Sequence, residues 1–391
     1  MSATRIGLEN GKALDMAWKR ITVTDYKDSI LQIKDFATKT MFAGAVTPGT
    51  NTGTGILYGA SATEDSVAET WTVTCTTIGG DAEAVFSVVG SVSGTLANAA
   101  TSAAPYYSEG ICFIILAGSV DFALGDSFTF AVASGTAEWE VMAYDNTSAD
   151  HSLILKGIGS GTDEICIGFR SQTNSSTYYN IEVAAFSGYV STNTFTSQPG
   201  YKAWWMCGSN SSYEMLIRLT SRHIYICNII GTVYESGYAG WMLPNASPSQ
   251  WTYPMFVGGS GYHNAITLAE GYPHHRCFWS EYDGTNYNNG SVMASNGWLN
   301  RSVILGQGQY PNLDGTRNIY PCGLTTSVVY YLSETGGDVY GHWEGLYAVS
   351  NKDVAVLAES VCNNADKGLL AVQNVSRWGA DDIILIDLMG D

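Results

Sequence analysis

Charged residues are scarce in this chain of 391 residues. Asp, Glu, Lys and Arg make up 14% of it, against about 25% in an ordinary globular protein, and 43 glycines, 24 tyrosines and 11 tryptophans are present. Few charges together with many aromatics are typical of surfaces that other subunits cover. The same composition also fits a β protein whose own surface is rich in tyrosine and hydroxyl groups. Composition favours an assembled protein and leaves the second interpretation open.

Positive charge is the scarcer sign. The chain has 18 Lys and Arg against 36 Asp and Glu, which gives a net charge of −18. Its densest basic groups are Lys19-Arg20 and the spaced pair Arg218 and Arg222. Nucleic-acid binding needs a basic stripe that displaces counterions from phosphates, so we expect no direct DNA or RNA recognition. Anionic membranes repel such a chain for the same reason.

Long apolar runs and metal-type cysteine spacings are also absent. No stretch reaches the length of a membrane span, and the first residues lack the apolar segment of a signal peptide. The eight cysteines lie at least 20 positions apart, with no Cys-x-x-Cys. We therefore expect no membrane insertion, a reducing cytoplasm during assembly, and free cysteines that act as small buried hydrophobic residues.

Motifs of catalysis are missing. The sequence contains no phosphate-binding loop and no His-Glu-x-x-His. The stretch Gly157–Gly161 carries Ser160 without glycine at both positions that a nucleophile elbow requires, so it is interpreted as a turn. These absences predict a protein that is not an enzyme, with no catalytic residues and no cofactor.

Short β-branched and aromatic runs separated by glycine dominate what is present. They predict a mainly β fold, with a small β-sandwich module over residues 56–135 and a larger antiparallel β-rich domain with long loops over residues 136–391. The runs that define the module are Glu69–Thr77, Val85–Gly94, Gly110–Gly118 and Phe122–Phe130.

Residues 1–55 are the least β-like and form a predicted N-terminal arm and linker with short helices. Asn10–Trp18 is one candidate helix, and Asp28–Lys39 is another because Ile30, Ile33, Phe36 and Ala37 recur at helical spacing. Such a segment either packs on its own domain or docks on a neighbouring subunit. Both interpretations stay open from the sequence.

One stretch could hold a metal ion. Between Tyr272 and Glu281 the sequence carries His274, His275 and Cys277. Adjacent side chains of a strand point to opposite faces, so the two histidines would not converge. A structural loop is the favoured interpretation, and we expect no metal.

Aromatic residues near carboxylates raise the question of sugar binding. Glu138 and Glu140 flank Trp139, but any acidic β protein offers such pairs, so polysaccharide hydrolysis is only weakly indicated. Sugar faces stack on Trp and Tyr without catalysis as well. The residues that we single out as glycan-contact or subunit-interface candidates are Tyr238, Trp241, Trp251 and Tyr253. The alternative is that these rings fill gaps between loops and sheet.

A resemblance rests on short phrases of the sequence. Residues 69–130 resemble the Thr/Val-rich β-sandwich that recurs in virion proteins of tailed bacteriophages. The part from Trp139 to Asp387 is similar to a family of uncharacterised phage structural proteins. The phrases that carry the second resemblance are Leu153–Gly161, Gln198–Gly200, Thr232–Pro244, Tyr253–Gly259, Gly345–Ser350 and Val372–Val375.

The resemblance implies a structural component of the virion, in the tail or baseplate region or as a surface decoration. Its implied partners are copies of itself, other virion proteins and, as a further option, a host-surface glycan. It implies assembly in the host bacterial cytoplasm and transfers no catalytic residues. The alternative expectation is a receptor- or glycan-binding module of the virion surface, with a polysaccharide depolymerase as a weaker one.

Overall fold

The computed structural model describes residues 17–157, 165–173, 179–231, 233–241 and 243–244, and from residue 254 onward the strands named below. This part of the chain is mainly β and contains one α-helix. Its strands pair antiparallel and form five sheets. The prediction of a mainly β chain with antiparallel sheets is confirmed.

The elements have the following bounds, to which a single 3-10 turn at Phe195–Ser197 is added. They are β1 Ala17–Val23, α1 Asp28–Ala37, β2 Met41–Ala43, β3 Thr47–Pro48, β4 Ile56–Ala62, β5 Glu69–Thr77, β6 Val85–Gly90, β7 Gly94–Thr95, β8 Ala100–Thr101, β9 Pro105–Ser108, β10 Ile111–Leu116, β11 Ser127–Ser134, β12 Glu140–Asp145, β13 Ser152–Gly157, β14 Ile165–Thr173, β15 Tyr179–Phe186, β16 Lys202–Cys207, β17 Tyr213–Leu219, β18 His223–Ile230, β19 Val233–Trp241, β20 Leu243–Pro244, β21 Pro254–Gly259, β22 Arg276–Tyr282, β23 Tyr287–Met293, β24 Ser302–Ile304, β25 Tyr320–Thr325, β26 Val339–Ser350, β27 Ser360–Asn364, β28 Lys367–Gln373 and β29 Asp382–Asp387.

Two of the sheets share the main hydrophobic core of the described residues. The central sheet has the order β1-β17-β18-β19-β21-β22-β23, and the five-stranded sheet runs from β12 to β16 in sequence order. Alternate residues of each sheet, such as Ile217 and Ile226 on one and Ile167 and Val183 on the other, lie in one buried cluster. Because apolar residues alternate along the strands, each sheet has one apolar face, and the two apolar faces pack against each other.

Helix α1 closes one side of this core. Ile30, Ile33 and Phe36 are fully buried, and their spacing places them on one face of the helix. The Asp28 carboxylate lies in the first turn, where its negative charge interacts favourably with the positive end of the helix dipole. It also accepts a hydrogen bond from the Thr24 N–H at 2.8 Å. The candidate helix over Asn10–Trp18 is not what its last residues form: Ala17 and Trp18 begin β1, and residues 1–16 lie outside the described part.

Strands β2 to β11 form a second body, called here the small body, over residues 41–134. One sheet has the order β4-β10-β9, and the other has β2-β11-β5-β6-β7 with β3 and β8 attached. Trp71, Phe86, Phe113 and Phe130 belong to the core that the two sheets share. The small body thus has a core of its own, separate from that of the central sheet.

The described part of the predicted arm is divided between the two bodies. Strand β1 pairs with β17 at the edge of the central sheet, and α1 joins the same core, whereas β2 and β3 pair with β11 of the small body. The segment therefore packs within this subunit, because its apolar residues complete two cores of the same chain.

The junction between the bodies lies at β1. The Trp18 indole N–H donates to the Gly59 carbonyl at 2.7 Å, and the Trp18 backbone N–H donates to Ser61 Oγ at 3.0 Å. The neighbouring Lys19, only 2% exposed, forms an ion pair with Glu64. One strand thus completes the central sheet and holds β4 of the small body.

Truncating Trp18 tests this junction. Trp18→Ala removes a side chain of 0% exposure, so the free energy of unfolding should fall by about 3–5 kcal/mol. Denaturant unfolding followed by circular dichroism measures it. A Leu124→Ala control, at a side chain that is 68% exposed, should stay within about 0.5 kcal/mol of the parent. Equal effects of the two changes would contradict the junction.

Candidate interaction surface

Two of the four predicted contact aromatics are buried. Tyr238 is 1% and Trp241 is 4% exposed. The Tyr238 ring stacks on His223 with 4.8 Å between centroids, its hydroxyl donates to the Trp241 carbonyl, and Trp241 belongs to the main core. Rings at this depth present no face to a glycan or to a second subunit. Trp251 and Tyr253 lie outside the described residues.

Beneath Tyr238 lies a buried polar cluster of the central sheet. Arg218 is 0% exposed, and its Nη1 donates to His223 Nε2 at 2.7 Å. Because a guanidinium only donates, His223 accepts through Nε2 and carries its proton on Nδ1, which lies 3.1 Å from Thr220 Oγ1. The imidazole is therefore neutral in this arrangement. Arg218, Thr220 and His223 are each 0% exposed, so the cluster is closed to solvent.

Gly345 of β26 completes the same cluster. It has a φ of +65°, and a Cβ at this position would lie 2.0 Å from Arg218 Nη2. Only a glycine lets the backbone of β26 approach the guanidinium so closely. A strand of the C-terminal sheet thereby packs on the face of the central sheet opposite the main core.

The side chains considered for a metal site are not described by the structure. His274 and His275 lie outside it, as do the side chains of Cys277 and Glu281 on β22. Among the described residues no group of three or more His, Cys, Asp or Glu could hold a metal ion. Trp139, between the two glutamates considered for sugar chemistry, is 2% exposed and donates its indole N–H to the Thr220 carbonyl at 2.9 Å. It is a core residue.

Most of the described cysteines are core residues as well. Cys75, Cys112, Cys166 and Cys227 are buried, whereas Cys207 is half-buried. Burial raises the pKa of the Cys112 thiol to about 12. A thiol with such a pKa is neutral near pH 7 and unreactive.

The small body carries charge of one sign. No Lys, Arg or His occurs between Lys39 and His151, whereas residues 41–134 contain eight Asp and Glu. The net charge and the basic pairs of the whole chain do not reveal this local property. The run without a basic residue is the signal in the sequence that does.

Two of these carboxylates hold loops in place by accepting hydrogen bonds from backbone N–H groups. Asp126 accepts the backbone N–H groups of Thr52, Gly53 and Ala123 at 2.8–2.9 Å. Glu69 accepts those of Val92 and Ser93 at the other end of the small body. Burial raises the pKa of each carboxyl. The hydrogen bonds, which for Glu69 include the one from the Ser93 hydroxyl, together outweigh burial, and both pKa values are lowered.

The end of the small body that lies away from the junction is called here the distal end. It consists of residues 49–56, 77–84 and 118–126. Strand β4 runs from it to the junction, since Ile56 pairs with Leu116 at one end and Ser61 meets Trp18 at the other. The loops are tied together by Asp126 and by the Gly79–Phe122 bridge.

Aliphatic side chains project from the distal end. Ile78 is 62% and Leu124 is 68% exposed, and Val120 and Ile56 are also exposed. Exposed aliphatic residues that share one end of a β body, on loops fixed by hydrogen bonds, form a ready contact surface. The carboxylates Asp121 and Glu83 stand on the same loops. The surface suits a partner that is apolar at its centre and neutral or basic at its rim.

Acid should loosen the small body. A carboxyl whose pKa is lowered on folding contributes stability above its ordinary pKa, here 3.8 for Asp126 and 4.5 for Glu69, and that stability is lost as the pH falls through the lowered values. The unfolding midpoint should therefore hold down to about pH 5 and drop below about pH 4.

Asp126→Asn isolates one contribution. It should cost about 2–3 kcal/mol at pH 7 and flatten the acid dependence, as measured by thermal unfolding at pH 3–7. Asp65→Asn, at an exposed carboxylate, is the control and should change neither. An unchanged acid dependence in Asp126→Asn would contradict the claim that the Asp126 carboxylate stabilises these loops.

Within the described part of the chain, no helix has both the length and the apolar character that a bilayer crossing requires. No protein-family model matches the chain, and no curated protein is similar to it.

Proposed function

We propose that this chain is a structural protein of a bacteriophage virion. It assembles through subunit contacts, in the tail or baseplate region or as a surface decoration. The observation that carries the proposal is the distal end, where exposed aliphatic residues stand on loops held by Asp126. Exposed aliphatic residues on loops held by hydrogen bonds, at one end of a separately packed body, suit a subunit contact.

The finer architecture belongs to the same proposal. We interpret the small body as the β-sandwich module, since its two sheets enclose one core that contains Trp71 and Phe128. The central, five-stranded and C-terminal sheets form the larger β-rich domain. In this proposal the larger domain packs against neighbours in the particle, and the module projects from it or bridges subunits.

Charge supports the choice of partners. The module has eight acidic and no basic residues over residues 41–134, so two modules repel each other unless something neutral or basic lies between them. The proposed partners of the module are therefore other virion proteins. Copies of this chain are proposed to meet through the larger domain.

Labelling of purified particles tests the location. Immunogold electron microscopy with antibody against residues 56–135 should mark the virion. Gold confined to the tail end would place the protein in the tail or baseplate, and gold over the head would make it a decoration. Particles that lack the chain by mass spectrometry would refute the virion proposal.

Variants of the distal end test the contact itself. Replacing Ile78 and Leu124 by serine should lower incorporation into particles at least tenfold, because both side chains lose their apolar contact area. Incorporation is measured by complementing phage that lack the gene and quantifying the chain in purified particles. Val67→Ser with Val92→Ser, at exposed aliphatic residues of the small body outside the distal end, is the matched control. Equal incorporation of both double variants would exclude the distal end as the contact.

A further inference from the structure

The outer face of the five-stranded sheet, which points away from the main core, carries a polar track. Residues such as Ile167 and Ile181 face the main core, so their neighbours in β14, β15 and β16 point outward. Register places these outward residues side by side. The track consists of Arg170, Gln172, Asn180, Glu182 and Trp205.

The remainder of this face is closed by the chain itself. Phe195 of the 3-10 turn packs on Phe186 with 5.4 Å between centroids. Gly168 makes room for both rings, since a Cβ there would lie 2.6 Å from Phe186 Cε2. Segment 187–201 thus covers the apolar half of the outer face. The polar track forms the other half.

Asn180 is the unusual member of the track. It is 1% exposed, and neither the oxygen nor the nitrogen of its carboxamide has a hydrogen-bond partner. A buried amide without partners destabilises a fold, and an apolar side chain would fill this strand position better. Such a group calls for an explanation outside the fold, and a ligand supplies one.

Two side chains lie over Asn180. Trp205 on β16 donates its indole N–H to Gln172 Oε1 on β14 at 3.3 Å. Strand β15 lies between these strands, so this contact crosses it at Asn180 and Glu182. The distance is long for an N–H···O bond, and both side chains are half-buried, so the bridge is weak and open to solvent on its outer side.

Glu182, next to Asn180 on the same face of β15, is a buried carboxylate held by hydrogen bonds. It is 0% exposed, accepts from Arg170 Nε at 2.8 Å and binds the Tyr201 hydroxyl. The guanidinium of Arg170 also lies 5.1 Å above the Phe195 ring. Because the carboxylate neutralises the guanidinium, the track offers no net charge to a ligand.

We propose that the polar track binds a neutral sugar of a glycan. The ligand breaks the Trp205–Gln172 bridge, one face of the sugar stacks on the indole, and its hydroxyls pair with the amides of Gln172 and Asn180. A carboxamide both donates and accepts, as neighbouring sugar hydroxyls do, and an aromatic ring fits the apolar face of a sugar. Anionic ligands are disfavoured by the paired Arg170 and by the net charge of −18.

This site goes beyond the virion proposal and does not depend on it. It also differs from the loop aromatics that the sequence indicated, since Tyr238 and Trp241 are buried. Glycan binding is measured on the isolated full chain, so it can fail while particle labelling succeeds, and the reverse.

The test uses a printed array of neutral and of sialylated or uronic-acid glycans, followed by titration calorimetry with a neutral oligosaccharide that the array identifies. The parent chain should bind neutral glycans. Asn180→Leu and Trp205→Ala should each weaken binding at least tenfold, whereas Asn98→Ala, at an exposed asparagine of the small body, should bind as the parent does.

Two further readings separate binding from folding. Asn180→Leu should keep or raise the midpoint of thermal unfolding, because Asn180 contributes no hydrogen bond. Trp205→Phe retains a ring and removes the bridge to Gln172, so it should bind at least as tightly as the parent. The proposal is overturned if the parent binds no neutral glycan, if it prefers the charged ones, or if Asn180→Leu binds unchanged.

Discussion

The pairing of β1 with β17 is the constraint on which the rest of the molecule depends. It joins residues 17–23 to residues 213–219, so a strand from one end of the described chain completes the edge of the central sheet. The same strand binds the small body through Trp18, and its buried Lys19 forms an ion pair with the half-buried Glu64. Removal of Glu64 would leave the buried charge of Lys19 without its carboxylate, so the ion pair contributes to the specificity of the junction.

Buried polar groups of the described residues differ in how far the fold satisfies them, and Asn180 differs from the rest in that both polar atoms of its side chain lack a hydrogen-bond partner. Asp126 and Glu69 accept backbone N–H groups and thereby order loops at opposite ends of the small body. Arg218 and His223 pair within the central sheet. Asn180 has no such partner in the structure. This contrast is why the outer face of the five-stranded sheet, rather than the buried clusters, suggests a ligand.

Local patterns predicted much of the fold. The spacing of Ile30, Ile33 and Phe36 coincides with the buried face of α1, and the glycine-punctuated apolar runs coincide with strands such as β5 and β10. The candidate helix that ends at Trp18 failed at its last residues because strand pairing with β17 outweighs local helical preference. Pairing between residues so far apart in the chain leaves no trace in local spacing.

The sequence by itself determined the β class, the alternation that gives each sheet an inner and an outer face, and a long acidic stretch without a basic residue. These properties follow from residue type and from the period of the strand. Only the tertiary structure decided which aromatics are covered. Tyr238 and Trp241, which the sequence offers as contact candidates, are buried, while Trp205 is half-buried beside Asn180. Burial depends on which sheet packs on which face, and that is a long-range property of the whole chain.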